Sequence, residues 1–348
     1  MRRLPVYFLV DVSESMVGEP ILNVEKGIRD IITELKTDPS ALETVHISIV
    51  VFAGKAKTIV PLQDIVTFYP PKFPIGGGTS LSNGLYHLID ELQRNIVPNT
   101  STTKGDWKPL VFLLTDGCPT DDTSSAIENW SNTWKSRCNL ICISFGGHTD
   151  QLLLSKLTDN LLQFDNADSG SYKRFFEWVS ASIRISSERV DADKEFNIDM
   201  RGNEELSIVD LRKLSKQSID DNYVVLTGKC QTTQRPYLIK YHKVLVDSQI
   251  ESLDLQTKQY QLVGGFQVDE FYFELSDKHK EKISINTEEL IGAPSCPCCG
   301  NQYAFAVCSC GGLHCIGNNR VNTCPWCKIE AEYGFGDGDG FNVTRSLG

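Results

Sequence analysis

The first 190 residues of this 348-residue chain alternate between two hydrophobic patterns. Apolar runs such as 6–10 and 110–114 have the composition of strands that are buried on both faces. The segments between the runs place apolar residues at helical spacing. Because strands and helices alternate, the pattern predicts an α/β fold, with a doubly wound, mostly parallel sheet and helices on both faces. The predicted strands are 6–10, 46–52, 57–60, 110–114, 140–145 and 161–164, and the predicted helices lie at 21–35, 81–96, 127–134, 152–157 and 172–188.

The pattern changes after residue 190. Residues 191–205 are polar and charged and predict a linker between two domains. From there the short hydrophobic segments alternate with period two, which predicts a small β-rich domain over 206–330. The glycine- and aspartate-rich end of the chain, 331–348, is expected to be a flexible tail. The strands predicted in the second domain are 223–227, 237–246, 259–263 and 271–275.

Composition and charge exclude several classes of function. Hydrophobic residues make up 41% of the chain and charged residues 23%, so the chain can build sizeable cores. A net charge of −11 argues against nucleic-acid or anionic-membrane partners, because both require a basic face. No segment has the roughly 18 apolar residues of a membrane span, and the N-terminus shows no secretory cleavage pattern. We therefore expect a cytoplasmic protein.

Three segments place hard oxygen ligands at one edge of the predicted sheet. Asp11, Ser13 and Ser15 follow the first strand, Thr79 precedes the second long helix, and Asp116 follows the strand at 110–114. The segment at 11–15 alone is more typical of helix capping than of a metal site. The three segments together predict a cation site, because ligands bind beyond the carboxyl ends of the strands in such sheets.

Magnesium prefers six oxygen ligands at about 2.1 Å and keeps several waters. Ser13, Ser15 and Thr79 are therefore predicted to bind Mg²⁺ or Mn²⁺ directly, while Asp11 and Asp116 hold bound waters and orient the hydroxyls. With only neutral side chains bound directly, the ion keeps its attraction for a carboxylate from a partner.

A metal-dependent phosphatase or phosphotransferase on the same edge is the enzyme alternative. Enzymes of the haloacid dehalogenase type need a second Asp two residues after the first, as the acid that protonates the leaving group. That position holds Ser13, which cannot act as this acid at neutral pH. The sequence therefore favours a binding protein over an enzyme.

Eight of the twelve cysteines lie between 296 and 327, in short spacings typical of zinc ligands in a reducing compartment. Two ions fit this set, and the pairing is open. In a ribbon, Cys296, Cys299, Cys324 and Cys327 share one ion. In a cross-brace, the first pair joins the third and the second joins the fourth. Cys298 is the expected non-ligand. The candidate zinc ligands are Cys296, Cys299, Cys308, Cys310, His314, Cys315, Cys324 and Cys327.

A zinc ion that is closed by four protein ligands has no open position for water, so the predicted role of the cysteine module is structural. It would stabilise a β-domain whose core is small. Cross-brace pairing would favour a different interpretation, a ligase-like adaptor.

The segments around Asp11, Thr79 and Asp116 resemble, position for position, the metal-ion-dependent adhesion site of von Willebrand factor A domains, with its motif D-x-S…T…D. The resemblance covers about residues 1–190 and implies a Rossmann-like fold. It also implies that an acidic residue of a protein partner supplies the sixth ligand to a metal held by Asp11, Ser13, Ser15, Thr79 and Asp116.

The whole chain resembles the TerY-type proteins of bacterial tellurite-resistance and stress systems, which join such a domain to a C-terminal TerY-C zinc-binding domain. In the second half the match lies in 223–241 and in the motifs CPCCG and CPWC. The resemblance implies a scaffold or sensor that works with a protein kinase and a PP2C-type phosphatase in stress or phage defence.

Overall fold

The protein is described by a computed structural model that covers residues 2–102, 104–145, 149–164, 169–188, 206–208, 222–247, 256–277, 283–334 and 340–346. The chain divides into two compact units. The first contains Met1–Phe73 and Thr79–Ser218, and the second contains Pro74–Gly78 and Ile219–Gly348. The predicted linker at 191–205 lies outside the described residues.

A seven-stranded sheet forms the centre of the first unit. Its strands are β1 (Leu4–Asp11), β2 (Val45–Phe52), β3 (Ala56–Asp64), β4 (Leu110–Thr115), β5 (Asn139–Phe145), β6 (Leu161–Phe164) and β7 (Leu206–Ile208). They lie in the order β3-β2-β1-β4-β5-β6-β7. The five inner strands are parallel, and the two edge strands are antiparallel to their neighbours. This confirms the predicted mostly parallel α/β sheet.

The described residues of this unit also form six α-helices: α1 (Glu19–Leu35), α2 (Pro39–Thr44), α3 (Leu81–Asn95), α4 (Ser124–Thr133), α5 (Gln151–Leu157) and α6 (Ser169–Glu188). On one side, apolar residues of α3, α4 and α5 pack on the sheet around the fully buried Trp130. Elsewhere α6 packs against α1 and α2. None of the helices in the described ranges combines the length and the apolar character that crossing a bilayer requires.

The strand order reverses between β1 and β4, which are adjacent although two strands separate them in sequence. From this point β2 and β3 follow toward one edge of the sheet, and β5 and β6 follow toward the other. The loops that connect strands to helices therefore separate here and leave a crevice at the carboxyl ends of the strands. Asp11 ends β1, Thr115 ends β4, and α3 begins at Leu81. The topology thus brings the three predicted oxygen-bearing segments to one edge.

The second unit contains a six-stranded sheet and two smaller sheets. Its elements are β8 (Tyr223–Lys229), β9 (Pro236–Asp247), β10 (Gln256–Gln267), α7 (Tyr272–Leu275), β11 (Ile283–Asn286), β12 (Leu290–Ile291), β13 (Tyr303–Val307), β14 (Leu313–Ile316), β15 (Val321–Thr323), β16 (Glu330–Glu332) and β17 (Asn342–Arg345). The large sheet has the order β12-β10-β9-β8-β14-β13, while β11 pairs with β17 and β15 with β16. The predicted β-rich fold is confirmed.

Three details differ from the sequence prediction. Residues 206–208, expected to begin the second domain, form β7 of the first sheet. The segment 271–275, predicted as a strand, contains the helical turn α7. In the expected flexible tail, β17 pairs with β11 and buries Val343 to 4% exposure, because this short strand contributes to the core of the unit.

Candidate functional site

The first candidate site consists of Asp11, Ser13, Ser15, Thr79 and Asp116, here called the oxygen site. Asp11, Ser13, Ser15 and Thr79 are buried, and Asp116 is half-buried. The Ser15 hydroxyl donates to Asp116 Oδ1 at 2.7 Å, across 101 residues of sequence. The Ser13 and Ser15 hydroxyl oxygens are 3.0 Å apart. The structure therefore brings the segment after β1 and the segment after β4 together, as a shared cation site requires.

Thr79 completes the group. A Cβ atom built on Gly117 would lie 3.7 Å from both Ser15 Oγ and Thr79 Oγ1, so the two hydroxyls flank the same small residue. The Thr79 hydroxyl oxygen is buried and has no hydrogen-bond partner within the described residues. Because buried polar atoms are rarely left unpaired, this atom fits a group that is bound between the side chains. A hard cation that is held by hydroxyl oxygens meets this requirement.

Asp11 is held in one orientation by two donors. The Ser13 amide donates to Oδ1 at 2.9 Å, and the Thr115 hydroxyl donates to Oδ2 at 2.6 Å. Burial raises the pKa of Asp11 to about 6, although these hydrogen bonds lower it in part. A nearby cation favours the charged carboxylate, so the burial of Asp11 is consistent with a metal site.

The segment after β4 contributes residues that the sequence prediction missed. Thr115 holds Asp11, while Thr120 and Asp121 bond to residues 79–82. The run Thr115-Asp116-Gly117-Cys118-Pro119-Thr120-Asp121 repeats Thr-Asp five residues apart. That repetition is the signal that could have identified Thr120 and Asp121.

The cysteines of the second unit form two groups in which the four thiol sulfurs lie within 4.8 Å of one another. The first cysteine cluster contains Cys230, Cys296, Cys299 and Cys315, and the second contains Cys308, Cys310, Cys324 and Cys327. Four sulfurs at this separation match the tetrahedral shell of a structural zinc ion.

Three of the cysteines begin the same kind of backbone turn. The amide of the first residue donates to the carbonyl five residues later, at 2.8 Å for Cys230, 2.8 Å for Cys296 and 2.9 Å for Cys324. The fifth residue of each turn has a positive φ, +59° at Gln234, +76° at Gly300 and +65° at Lys328. The turn directs local amides toward the first sulfur, as in the 3.3 Å bond from Thr233 N–H to Cys230 Sγ.

The thiol pKa values are shifted in both directions within each cluster. The Cys310 amide lowers the pKa of Cys308 to about 6. Burial raises the pKa of Cys230, but hydrogen bonds from Thr233 outweigh it and lower the value to about 7. Burial raises the pKa of Cys315 to about 11 and that of Cys324 to about 12. Four crowded thiolates repel one another, so full ionisation requires a bound metal.

Of the two pairings that the sequence left open, the grouping differs from the ribbon and follows the interleaved order of the cross-brace, with one change of ligand. Cys230 occupies the place that we gave to His314, because its turn approaches β14 from the neighbouring strand β8. His314 lies outside both clusters. Its Nδ1 is 3.0 Å from the Cys315 carbonyl and its Nε2 is 2.8 Å from the Tyr333 hydroxyl. Cys298, the expected non-ligand, is also outside the clusters.

Family models match both halves of the chain. The model of the von Willebrand factor type A domain matches residues 6–177. The model of the TerY-C metal binding domain matches residues 220–348.

Two curated relatives match about two fifths of the chain. Inter-alpha-trypsin inhibitor heavy chain H1 of Sus scrofa is 25% identical over 154 residues, which are 40% of this chain and 16% of that protein. The same protein of Mesocricetus auratus is 25% identical over 158 residues, covering 41% and 16%. The chain thus spans about a sixth of the length of these relatives.

Among solved structures, proximal thread matrix protein 1 from the mussel byssus, with a zinc-occupied MIDAS motif, has a TM-score of 0.39 and 17% identity. The match covers 53% of this chain and 46% of that one. A von Willebrand factor type A protein from Catenulispora acidiphila has a TM-score of 0.40 and 12% identity, covering 79% and 68%.

Proposed function

The chain joins a von Willebrand factor type A domain to a TerY-C metal-binding domain, and from this premise we propose that it is a scaffold or sensor that binds an acidic protein partner through a divalent cation. The two domains support a metal-binding interaction protein. The finer proposal is that Mg²⁺ or Mn²⁺ at the oxygen site forms the link to the partner.

The convergence of the five oxygen-bearing side chains carries this proposal. Ser13, Ser15 and Thr79 would hold the ion directly, and the unpaired Thr79 hydroxyl supports this assignment. Asp116 accepts the hydrogen of the Ser15 hydroxyl, which turns the lone pairs of Ser15 away from Asp116 and leaves them available as ligands. Asp11 and Asp116 would hold bound waters. The cation, when bound, would supply an open position for a carboxylate of the partner.

The second domain would hold two zinc ions in the two cysteine clusters. Each shell is complete with four thiolates, so the zinc would be structural and would leave no position for substrate. We propose that this domain provides a second contact surface for the assembly.

The proposed partners are a protein kinase and a PP2C-type phosphatase of a bacterial stress, tellurite-resistance or phage-defence system. The resemblance to TerY-type proteins supports this choice. Purified kinase and phosphatase, each tested for binding to the full chain with and without Mg²⁺, would decide between them. Absence of binding to both would reject this part of the proposal.

The central experiment is affinity capture with the zinc-loaded full chain, in buffers with and without Mg²⁺. A partner that binds through the oxygen site is captured only with Mg²⁺ and is lost with Asp11→Ala. Asp122→Ala is the matched control, because this exposed carboxylate accepts from the nearby Ser124 amide and lies outside the oxygen site. Capture that ignores both Mg²⁺ and the Asp11 substitution would contradict the proposal.

We propose that the chain is not an enzyme. Ser13 stands where a haloacid-dehalogenase-type phosphotransferase needs a second carboxylate, and its hydroxyl lies 3.0 Å from that of Ser15. Mg²⁺-dependent turnover of a phosphorylated substrate that is lost in Asp11→Asn would revive the enzyme alternative.

A ligase-like adaptor is the second candidate, because the cysteines alternate between the two clusters along the chain as in a cross-brace. The candidate requires that the zinc-loaded domain accelerates discharge of a ubiquitin-like modifier from its charged conjugating enzyme. A discharge rate equal to that of the conjugating enzyme alone would reject it.

A further inference from the structure

The Thr79 segment is fastened to the segment after β4 by a ladder of hydrogen bonds. The Thr79 amide donates to the Thr120 hydroxyl at 3.1 Å, and the Thr120 amide donates to the Thr79 carbonyl at 2.8 Å. Both bonds are made by groups other than the Thr79 hydroxyl. The ladder therefore fixes the backbone of Thr79 and leaves its side-chain oxygen available for the oxygen site.

Asp121 continues this ladder into the first turn of α3. Its Oδ2 atom accepts hydrogen bonds from the Ser80 hydroxyl at 2.6 Å and from the Ser82 amide at 3.2 Å, and also from the Ser82 hydroxyl. Ser80 is the N-cap of α3, which spans 15 residues. A carboxylate at a helix N-terminus satisfies free amides and interacts favourably with the helix dipole.

The position of the Thr79 oxygen depends on these contacts. Thr79 directly precedes Ser80, and the Ser80 amide donates to the Ala53 carbonyl at 2.7 Å. Because the Thr79 hydroxyl makes no hydrogen bond within the described ranges, only the backbone on either side can place it. Apart from Ala53, the residues that hold this backbone, Thr120 and Asp121, come from the same segment that carries Asp116.

We propose that Asp121 is a positioning residue of the oxygen site. By holding Ser80 and Ser82, together with the Thr120 bonds to Thr79, it keeps Thr79 and Asp116 at the separation that one cation can span. The segment at 79–82 and the segment at 116–121 then act as one preorganised body. The inference rests on the proposed cation binding and names a residue that determines its affinity without touching the ion.

The test compares Mg²⁺ binding by the full chain, measured by titration calorimetry, in Asp121→Ala, Asp121→Asn and Asp122→Ala. Losing a group that supports metal ligands costs about ten- to a hundredfold in affinity. We expect Asp121→Ala to lose at least tenfold. The Asn variant keeps an acceptor oxygen and should recover most of the affinity, while Asp122→Ala, which removes the adjacent carboxylate, should bind as the parent does.

Amide hydrogen exchange of residues 79–83 in the Mg²⁺-free protein gives a second readout. We expect faster exchange there in Asp121→Ala and unchanged exchange in Asp122→Ala. If the parent chain binds no Mg²⁺, the proposed function is wrong. Unchanged exchange of residues 79–83 in Asp121→Ala would show separately that Asp121 does not position this segment. Equal Mg²⁺ affinity in the parent and Asp121→Ala, or an equal loss in Asp122→Ala, would overturn the inference. If Asp121→Ala fails to fold, Ser82→Ala, which removes one of the hydroxyls held by Asp121, takes its place with the same expected direction.

Discussion

At the scale of single residues, the hydroxyl of Thr79 is expected to lower the stability of the metal-free protein and is proposed to bind the metal. Its oxygen is buried without a hydrogen-bond partner in the described part of the chain, and such an atom costs about 1–3 kcal/mol. Thr79→Val keeps the shape and removes this atom. We expect the metal-free variant to be as stable as the parent or more stable in thermal unfolding, while its Mg²⁺ affinity falls at least tenfold in calorimetry, about 1.4 kcal/mol or more.

Thr158→Val is the matched control for this substitution. Thr158 is also buried, but its hydroxyl donates to the Leu140 carbonyl at 2.6 Å. This variant should lose about 1 kcal/mol of stability and keep its Mg²⁺ affinity. A loss of stability in Thr79→Val with unchanged Mg²⁺ binding would show that the hydroxyl has only a packing role.

The pKa of Asp11 makes cation binding sensitive to pH. Burial raises this pKa to about 6, so protons compete with the cation when the pH falls through that value. At pH 5.5 about three quarters of the metal-free carboxyl is protonated, and we expect Mg²⁺ affinity to be about fourfold weaker than at pH 7.5. Asp11→Asn cannot titrate and should lose this part of the pH dependence along with most of its affinity. Equal affinity of the parent at both pH values would contradict the assignment.

Five residues of the oxygen site were recognisable in the sequence because their hydroxyl and carboxylate oxygens are typical cation ligands and stand at the ends of predicted strands or the start of a predicted helix. They are Asp11, Ser13, Ser15, Thr79 and Asp116. Their supporting residues were not recognisable. Thr115 acts by reaching Asp11 across 104 residues, and such contacts depend on strand order, which the local pattern does not specify. Cys230 was missed for a similar reason, since it lies far in sequence from the cysteines at 296–327 and only the fold brings it to them.

At the scale of elements, the packing of α1 on α6 depends on one glycine. A Cβ atom at Gly27 would overlap the Phe176 ring, which is 2% exposed. Alanine gains about 0.5–1 kcal/mol in helix propensity, but overpacking a buried ring costs about 1–3 kcal/mol. We expect Gly27→Ala to lower the free energy of unfolding of the first unit by about 1–2 kcal/mol in denaturant titration. Lys26→Ala, at the exposed neighbouring position, should have little effect, and equal stability of both variants would contradict this packing.

The turn between β8 and β9 explains how Cys230 joins the first cysteine cluster. It has the same hydrogen bonding as the turns at Cys296 and Cys324, but Thr233 stands where those turns have a second cysteine. A single thiolate from this turn therefore needs Cys315 from β14 to complete the shell. The sequence Cys-x-x-Thr was the available signal.

Cys230→Ser tests this turn. We expect the zinc content, measured by mass spectrometry under native conditions, to fall from two ions to one, because the first cluster loses a thiolate and the second keeps all four. Cys298→Ser removes a nearby thiol that belongs to neither cluster and should retain both ions. Loss of zinc in Cys298→Ser with retention in Cys230→Ser would reverse the assignment.

Hydrophobic periodicity predicted most strands of the first sheet within a few residues, because buried parallel strands are continuous apolar runs. It failed where short segments are shaped by tertiary contacts. The segment at 271–275 reads as a strand, yet Tyr272 turns inward in α7 and shares a 2.8 Å hydrogen bond with Thr227. β17 in the glycine-rich end of the chain was not predicted, because four residues are too few to show a hydrophobic alternation.

At the scale of the whole molecule, the two units differ in how their cores are built. The core of the first unit includes large aliphatic and aromatic side chains such as Trp130, Phe52 and Tyr7. The core of the second is smaller, and three of its buried members, Cys230, Cys296 and Cys315, also belong to the first cysteine cluster. If the clusters hold zinc, as we propose, metal binding and folding would be coupled in the second unit, whereas neither cysteine cluster contributes to the described core of the first.

This difference predicts how the protein responds to loss of zinc. A zinc-selective chelator should lower the unfolding temperature of one calorimetric transition and leave a second unchanged, because only the second unit would lose ligands that hold its core together. Restoring zinc should return the affected transition, whereas Mg²⁺ should raise only the other one by occupying the oxygen site. Thr79→Val should change the unfolding temperature of the chelator-resistant transition, and Cys230→Ser should change that of the chelator-sensitive one. A single transition whose temperature changes with either metal would show instead that the two units unfold together. The proposal that zinc stabilises one unit while Mg²⁺ binds to the other would then fail.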